Sequence, residues 1–179
     1  MALPATMRKV QLSLADSDRG VYEELELRVA QHPSESERYL VARILVRALE
    51  HTEGLEFSKG GVSDDSEPAL VQRDLRGDLI GWFEVGAPSP DRLHKATKLA
   101  RRVVVYTWKN AADLAEAIRD RPVYRGETIE LFQIDGAWLD AVAATLDRNN
   151  TWALAVTGGV MYLTVGDAVF EGSAQRVEI

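Results

Sequence analysis

Asp78-Leu79-Ile80-Gly81-Trp82-Phe83-Glu84-Val85-Gly86, a break at Pro88-Ser89-Pro90, the basic run Arg92-Leu93-His94-Lys95-Ala96-Thr97-Lys98, and then Val103-Val104-Val105-Tyr106: this stretch decides the fold. Leu79 to Val85 is apolar except near its end, as a strand buried in a sheet is, and Gly81 inside it marks a bulge or a close backbone approach. The prolines stop that strand, and Ser89 or Asp91 can cap a helix whose buried stripe is Leu93, Ala96, Leu99 and Ala100. Val103 to Tyr106 is a continuous apolar run of strand length. Strand, helix and strand therefore make a βαβ unit with parallel strands and a right-handed crossover. Glu84 sits near the carboxyl end of the first strand, and a carboxylate in so apolar a run has to be paired, metal-bound or protonated. Pairing with an arginine is the structural explanation to set beside a functional one.

Upstream, Val10, Leu12 and Leu14 alternate with Lys9, Gln11 and Ser13, and Leu25, Leu27 and Val29 alternate with Glu24, Glu26 and Arg28. The turn chemistry of Asp16 to Gly20 joins the two as an antiparallel hairpin. His32-Pro33 ends the second strand, and Ser34 with Glu37 reads as a capping box that starts a helix. Its apolar face is Leu40, Val41, Ile44, Leu45, Ala48 and Leu49, with Glu35, Arg38 and Arg43 outside it. Leu55 to Phe57 opens a short strand. The Asp- and Ser-rich stretch that follows to Gly77 reads as an excursion with a short helix around Pro68 to Gln72, and it carries Asp64, Asp65, Glu67 and Asp74. Downstream come a helix from Ala111 to Ile118, a strand around Ile129 to Ile134, a helix from about Gly136 to Leu146, and a meander of short strands from Trp152 to Glu171. The expected class is mixed α/β (α+β), and nothing in the pattern divides residues 1–179 into two domains.

Composition excludes several functions. The chain has 179 residues, 46% of them hydrophobic, and no cysteine, which rules out disulfides, zinc-thiolate and iron-sulfur sites and thiol nucleophiles. The N-terminus lacks the layout of a signal peptide and no apolar run spans a bilayer, so a cytoplasmic location without membrane attachment is expected. A net charge of −7 argues against a broadly basic nucleic-acid coat but leaves room for a local basic patch. There is no Walker motif, His32, His51 and His94 lack metal-ligand spacing, and no Gly-x-Ser-x-Gly elbow occurs. What remains is a set of acids and lysines around one strand and its next helix. Magnesium-dependent phosphodiester cleavage uses such a set, with carboxylates holding a hard cation at about 2.1 Å and a lysine positioning water or neutralising charge.

Several blocks carry a resemblance to a known family. Met1-Ala2-Leu3-x-Ala5-Thr6, His32-Pro33-Ser34-Glu35 with Arg43, Phe57-Ser58-x-Gly60, Asp74-Leu75-x-Gly77, Trp82-Phe83-Glu84-Val85-Gly86-x-Pro88 and Arg92-Leu93-x-Lys95-Ala96 fall in order along nearly the whole chain. Together they resemble the YaeQ family, which is similar in fold to the PD-(D/E)XK nucleases: a mixed sheet flanked by helices and elaborated with extra strands. The resemblance implies that Glu84 matches the acid of the nuclease motif, that Asp78 or Asp74 stands in for its aspartate, and that Glu35 matches an acid contributed by the first core helix. Magnesium would be held by Glu84, Asp78, Asp74 and Glu35. Where that motif has a lysine two residues after the acid, this chain has Gly86, so either Lys95 or Lys98 has taken over the task or the site is no longer catalytic. In the second case the protein is a binding module for nucleic acid or another protein, with Arg92, Lys95, Lys98 and Arg102 as the nucleic-acid contacts.

Overall fold

In the computed structural model, which describes residues 3–60 and 66–179, ten strands form one mixed sheet and four helices pack on it. The expected hairpin is long. Strands β1 (Thr6–Asp16) and β2 (Val21–Gln31) pair antiparallel, with Val10 opposite Leu27 and Leu12 opposite Leu25, so that the alternating apolar residues share one face. Helix α1 (Glu37–Leu49) follows, then β3 (Leu55–Phe57), β4 (Leu70–Arg73) and β5 (Leu79–Val85) in antiparallel succession. Helix α2 (Pro90–Leu99) crosses to β6 (Arg102–Thr107), which lies parallel to β5. Helix α3 (Ala111–Asp120) and a 3-10 turn at Gly126–Thr128 lead to β7 (Glu130–Ile134), parallel to β6. Helix α4 (Gly136–Ala143) then precedes the antiparallel meander of β8 (Asn149–Thr157), β9 (Val160–Val165) and β10 (Ala168–Val177).

The strand order is β2-β1-β8-β9-β10-β7-β6-β5-β4-β3. Two pairings join the meander to the rest. Strand β8 returns to lie parallel to β1, with Leu12 beside Trp152 and Leu14 beside Leu154. Strand β10 pairs with β9 over Ala168 to Ser173 and with β7 over Ala174 to Val177. The sheet thus curls around α1 and α4, and a single inner core takes side chains from both helices and from strands all round it, including Leu12, Phe83, Val104, Trp152 and Leu163. Being enclosed, α1 buries Ala42, Arg43 and Val46 as well as its expected apolar stripe up to Ala48, with Leu49 partly buried. A smaller outer core, with Trp82, Leu93, Val105, Ala115 and Leu131, packs α2 and α3 on the opposite face of β5, β6 and β7.

Three local expectations are corrected and a fourth is narrowed. The helix cap is Ser36, whose hydroxyl accepts the Tyr39 amide, so α1 begins at Glu37, and Ser34 instead sits beside the His32 ring. The helix expected around Pro68 to Gln72 is strand β4: Leu70 and Val71 are both buried, and the ladder to β3 and β5 uses the backbone groups that a helix would bond internally. Helix α4 stops at Ala143, where the amides of Thr145 and Leu146 turn back to the carbonyls three residues earlier. Gly81 is a close approach rather than the bulged residue itself; a Cβ there would lie 2.8 Å from Phe83 and 2.9 Å from Gln72, and the register shift falls opposite it between Gln72 and Arg73. No helix of the described residues is long and apolar enough to cross a membrane.

Candidate functional site

The parallel strands β5, β6 and β7 end on the same side of the sheet, which in α/β architectures is where ligand-binding residues gather. Glu84 is the penultimate residue of β5. Alternation along the strand sends Phe83 and Val85 into the inner core and turns Trp82 and Glu84 toward α2. Two donors meet there on one carboxylate oxygen: Trp82 Nε1 at 2.7 Å and Arg92 Nε at 2.5 Å from Glu84 Oε1. The Arg92 guanidinium also lies 5.8 Å from the Trp82 ring centroid and donates through Nη2 to the Glu67 carbonyl at 2.8 Å. Glu84 is 3% exposed. Burial pushes its carboxyl above the ordinary range, and the charge of Arg92 and the two hydrogen bonds pull it part of the way back.

The positions flanking Glu84 hold no second acid. Val105 lies beside it on β6, and the β4 register continued by one residue places Ala69 on the other side. Gly86 follows with φ of +98°, a conformation that L side chains rarely adopt. That backbone, rather than crowding, is what excludes a lysine here, since the nearest atom to a Cβ at this position would be Trp108 Cη2 at 3.7 Å. Tyr39 and Trp108 pack edge to face with ring centroids 6.1 Å apart and close over this strand end. Burial, and next the neighbouring Glu84 charge, raise the Tyr39 hydroxyl above its usual pKa.

Glu35 is engaged separately. Arg43 Nη1 donates to its two carboxylate oxygens at 2.8 and 3.1 Å, both side chains being buried, while the His32 amide donates to Oε2 at 3.2 Å. The guanidinium of Arg43 stands 5.4 Å from the centre of the Phe57 ring. Asp74 and Asp78 lie at the opposite end of β5. Asp74 accepts the amides of Arg76 and Asp78, both at 2.9 Å, to close the turn into the strand, and Asp78 is exposed. Six residue steps separate Asp78 from Glu84, about 20 Å of chain. Asp64 and Asp65 lie outside the described residues. Asp74 and Asp78 are therefore remote from Glu84, whereas Glu35 and Glu84 both bear on the Tyr39 hydroxyl, and among the described residues no group of three or more Asp, Glu or His side chains is placed to hold a metal ion.

Lys95 and Lys98 are exposed on α2 and are not among the groups that shift Glu84, whereas Arg92 supplies the cation that acts on it. Arg102 is committed to acids. Its Nε and Nη2 donate to Glu130 at 2.7 and 3.0 Å, and Nη1 donates to Glu50 at 2.8 Å. The Tyr106 hydroxyl donates to the other oxygen of Glu50 at 2.7 Å. Sequence reasoning missed Arg92 as the partner of Glu84 and missed Tyr39 and Trp108 altogether. The first signal was available, because a buried carboxylate requires a counterion and Arg92 occupies the first turn of the next helix.

A family model described as YaeQ protein matches residues 1–173. The uncharacterized protein YaeQ of Escherichia coli (strain K12) is 31% identical over 166 residues, which span 92% of this chain and 91% of that one. Its Salmonella typhi counterpart is 28% identical over the same shares. Among solved structures, the YaeQ protein from Pseudomonas syringae superposes with a TM-score of 0.90 at 28% identity, covering 99% of this chain and 98% of that one. The YaeQ protein from Xanthomonas axonopodis pv. citri gives a TM-score of 0.88, also at 28% identity, over 97% and 98%.

Proposed function

The chain belongs to the YaeQ family, and from that premise we propose that it is a nucleic-acid-binding module on a PD-(D/E)XK nuclease-like scaffold, its acidic centre closed by arginine instead of opened to a metal. What supports this reading is the division of labour on one helix: Arg92 turns inward onto Glu84, whereas Lys95 and Lys98 turn out to solvent. Glu84 and Arg92 then fix where α2 sits on β5, and the outward lysines meet phosphate. Charge supports the second half. Between Asp91 and Asp113 the chain has six lysines and arginines and no acid, although the whole chain carries −7. Magnesium chemistry would require further ligands to be recruited to Glu84, whose Oε1 already accepts from Trp82 and Arg92. The protein partner that the fold could also serve has no feature of comparable specificity behind it.

The test compares two variants. Fluorescence anisotropy with a labelled oligonucleotide should show affinity that survives Glu84→Gln and falls at least tenfold when Lys95 and Lys98 are both replaced by alanine. Affinity should also drop steeply with salt, because each neutralised phosphate releases counterions. Calorimetric titration of the wild type with magnesium should show no binding at millimolar concentration. Magnesium binding abolished by Glu84→Gln, or equal loss of oligonucleotide affinity in both variants, would reverse the reading in favour of the metal-dependent one.

A further inference from the structure

The cationic face of α2 has a neighbour that was not singled out by the sequence. The turn after α3, Arg121-Pro122-Val123-Tyr124-Arg125-Gly126, is itself free of acids and is docked on α2. Three contacts hold it there: the Tyr124 amide donates to His94 Nδ1 at 3.0 Å, Arg121 pairs with Asp91 in the first turn of α2 at 3.5 Å, and Arg125 Nη2 donates to the Arg101 carbonyl just past α2 at 3.3 Å. Arg125 has a left-handed φ of 51°, a conformation that costs a side-chain-bearing residue energy and persists only where the surroundings enforce it. Thr128 enforces it here, donating through both its amide and its hydroxyl to the Arg125 carbonyl at 2.9 and 2.7 Å.

What this rigid turn displays is an aromatic ring. Tyr124 is 51% exposed, and among the described residues its ring and hydroxyl have no ring partner and no hydrogen bond. Lys98 is one helical turn beyond His94, the residue to which Tyr124 is pinned, and Lys95 adjoins it. A fixed, uncovered aromatic face beside Lys95, Lys98, Arg101 and Arg125 combines the two elements that recognise an unpaired strand, a stacking surface for a base and cations for the backbone. A duplex offers the cations the same phosphates but keeps its base faces stacked inside.

We propose that the ligand of this surface is single-stranded nucleic acid, with one base stacked on Tyr124 and the backbone running along Lys95, Lys98, Arg101 and Arg125. The proposal rests on the nucleic-acid reading above and narrows it to a strand type. Anisotropy with a labelled single strand of roughly 16 nucleotides, and with the same sequence annealed as a duplex, tests it. The wild type should bind the single strand more tightly. Tyr124→Ala should weaken single-strand binding by roughly five- to a hundredfold, the span expected for one lost stacking contact, and leave duplex binding unchanged. Tyr124→Phe should bind as the wild type does, since it keeps the ring. An unchanged circular dichroism spectrum for Tyr124→Ala would assign the loss to the surface, as the half-exposed ring predicts. If Tyr124→Ala binds like the wild type while the double lysine variant does not, the stacking proposal is overturned and the cationic surface stands. If the double lysine variant also binds like the wild type, or the wild type binds neither probe, the underlying nucleic-acid reading falls as well.

Discussion

Glu84 shows what one buried carboxylate costs and how the fold meets that cost. Among the described residues both of its donors, Trp82 and Arg92, converge on Oε1. Burial nevertheless dominates and holds the carboxyl above its ordinary value of 4.5. An acid with a higher pKa in the folded chain than in the unfolded one binds its proton more tightly when folded. Its contribution to stability is therefore fullest below about the ordinary value and is withdrawn as pH rises through the folded value. Glu84→Gln removes the titration but retains an Oε1 that can accept from both Trp82 and Arg92. Urea unfolding across pH 4 to 7 should show the wild type losing stability relative to Glu84→Gln as pH increases. A difference that stays constant over that range would mean that Arg92 compensates the buried charge fully.

At the scale of elements, Arg102 ties the end of α1 to β6 and β7. It binds Glu130 on β7 through two nitrogens and Glu50, the residue capping α1, through a third, while its guanidinium lies 5.5 Å from the Phe83 ring centroid. Those acids raise the pKa of Arg102, the Glu130 hydrogen bond first among them, and the same pairing lowers that of Glu130. Glu50 is buried, so removing the cation leaves a carboxylate held only by the Tyr106 hydroxyl. Breaking a fully buried pair costs about 3–5 kcal/mol; because the Arg102 side chain is 40% exposed, Arg102→Met should cost less, about 2 kcal/mol, measured as a shift in the urea midpoint with an unchanged slope. The sequence shows Arg102 as one more residue in a basic run, and nothing in its spacing reveals acids 52 and 28 positions away. The elements themselves were legible where the pattern was local: Val10, Leu12 and Leu14 alternate visibly, and Pro88 and Pro90 stop β5. Helix α1 began two residues later than Ser34 suggested, because Ser36, with extended backbone, is the residue whose hydroxyl accepts the Tyr39 amide, while Ser34 lies in the preceding turn. Strand β4 was missed because four residues flanked by acids give too short a period to read. The site was the least legible part, since Glu84 with Arg92, and Glu35 with Arg43, are partners only once helices have been laid on strands.

The whole molecule depends on pairings that no local pattern announces. The meander could have stood apart as a three-stranded unit, but β8 pairs with β1 and β10 changes partner at Ser173 and Ala174 from β9 to β7. Both halves of the sheet then face the same two helices. Leu12, Trp152 and Leu163 on one side and Phe83, Val104 and Ile134 on the other pack into one inner core around α1 and α4. Separating the halves would expose an apolar face on each, and at roughly 25 cal/mol for every Å² of apolar surface the loss outweighs whatever stability a half could retain. Local opening should therefore be confined to edges and turns, and the centres of the two halves should unfold together. Native-state hydrogen exchange in increasing urea tests this directly. The slowest amides of β1 and β8, such as Leu12 and Leu154, should merge with those of β5 and β6, such as Phe83 and Val104, on one isotherm. Two separate isotherms would divide the chain into independently folding parts, and the bend in β10 would be the place to look for the boundary.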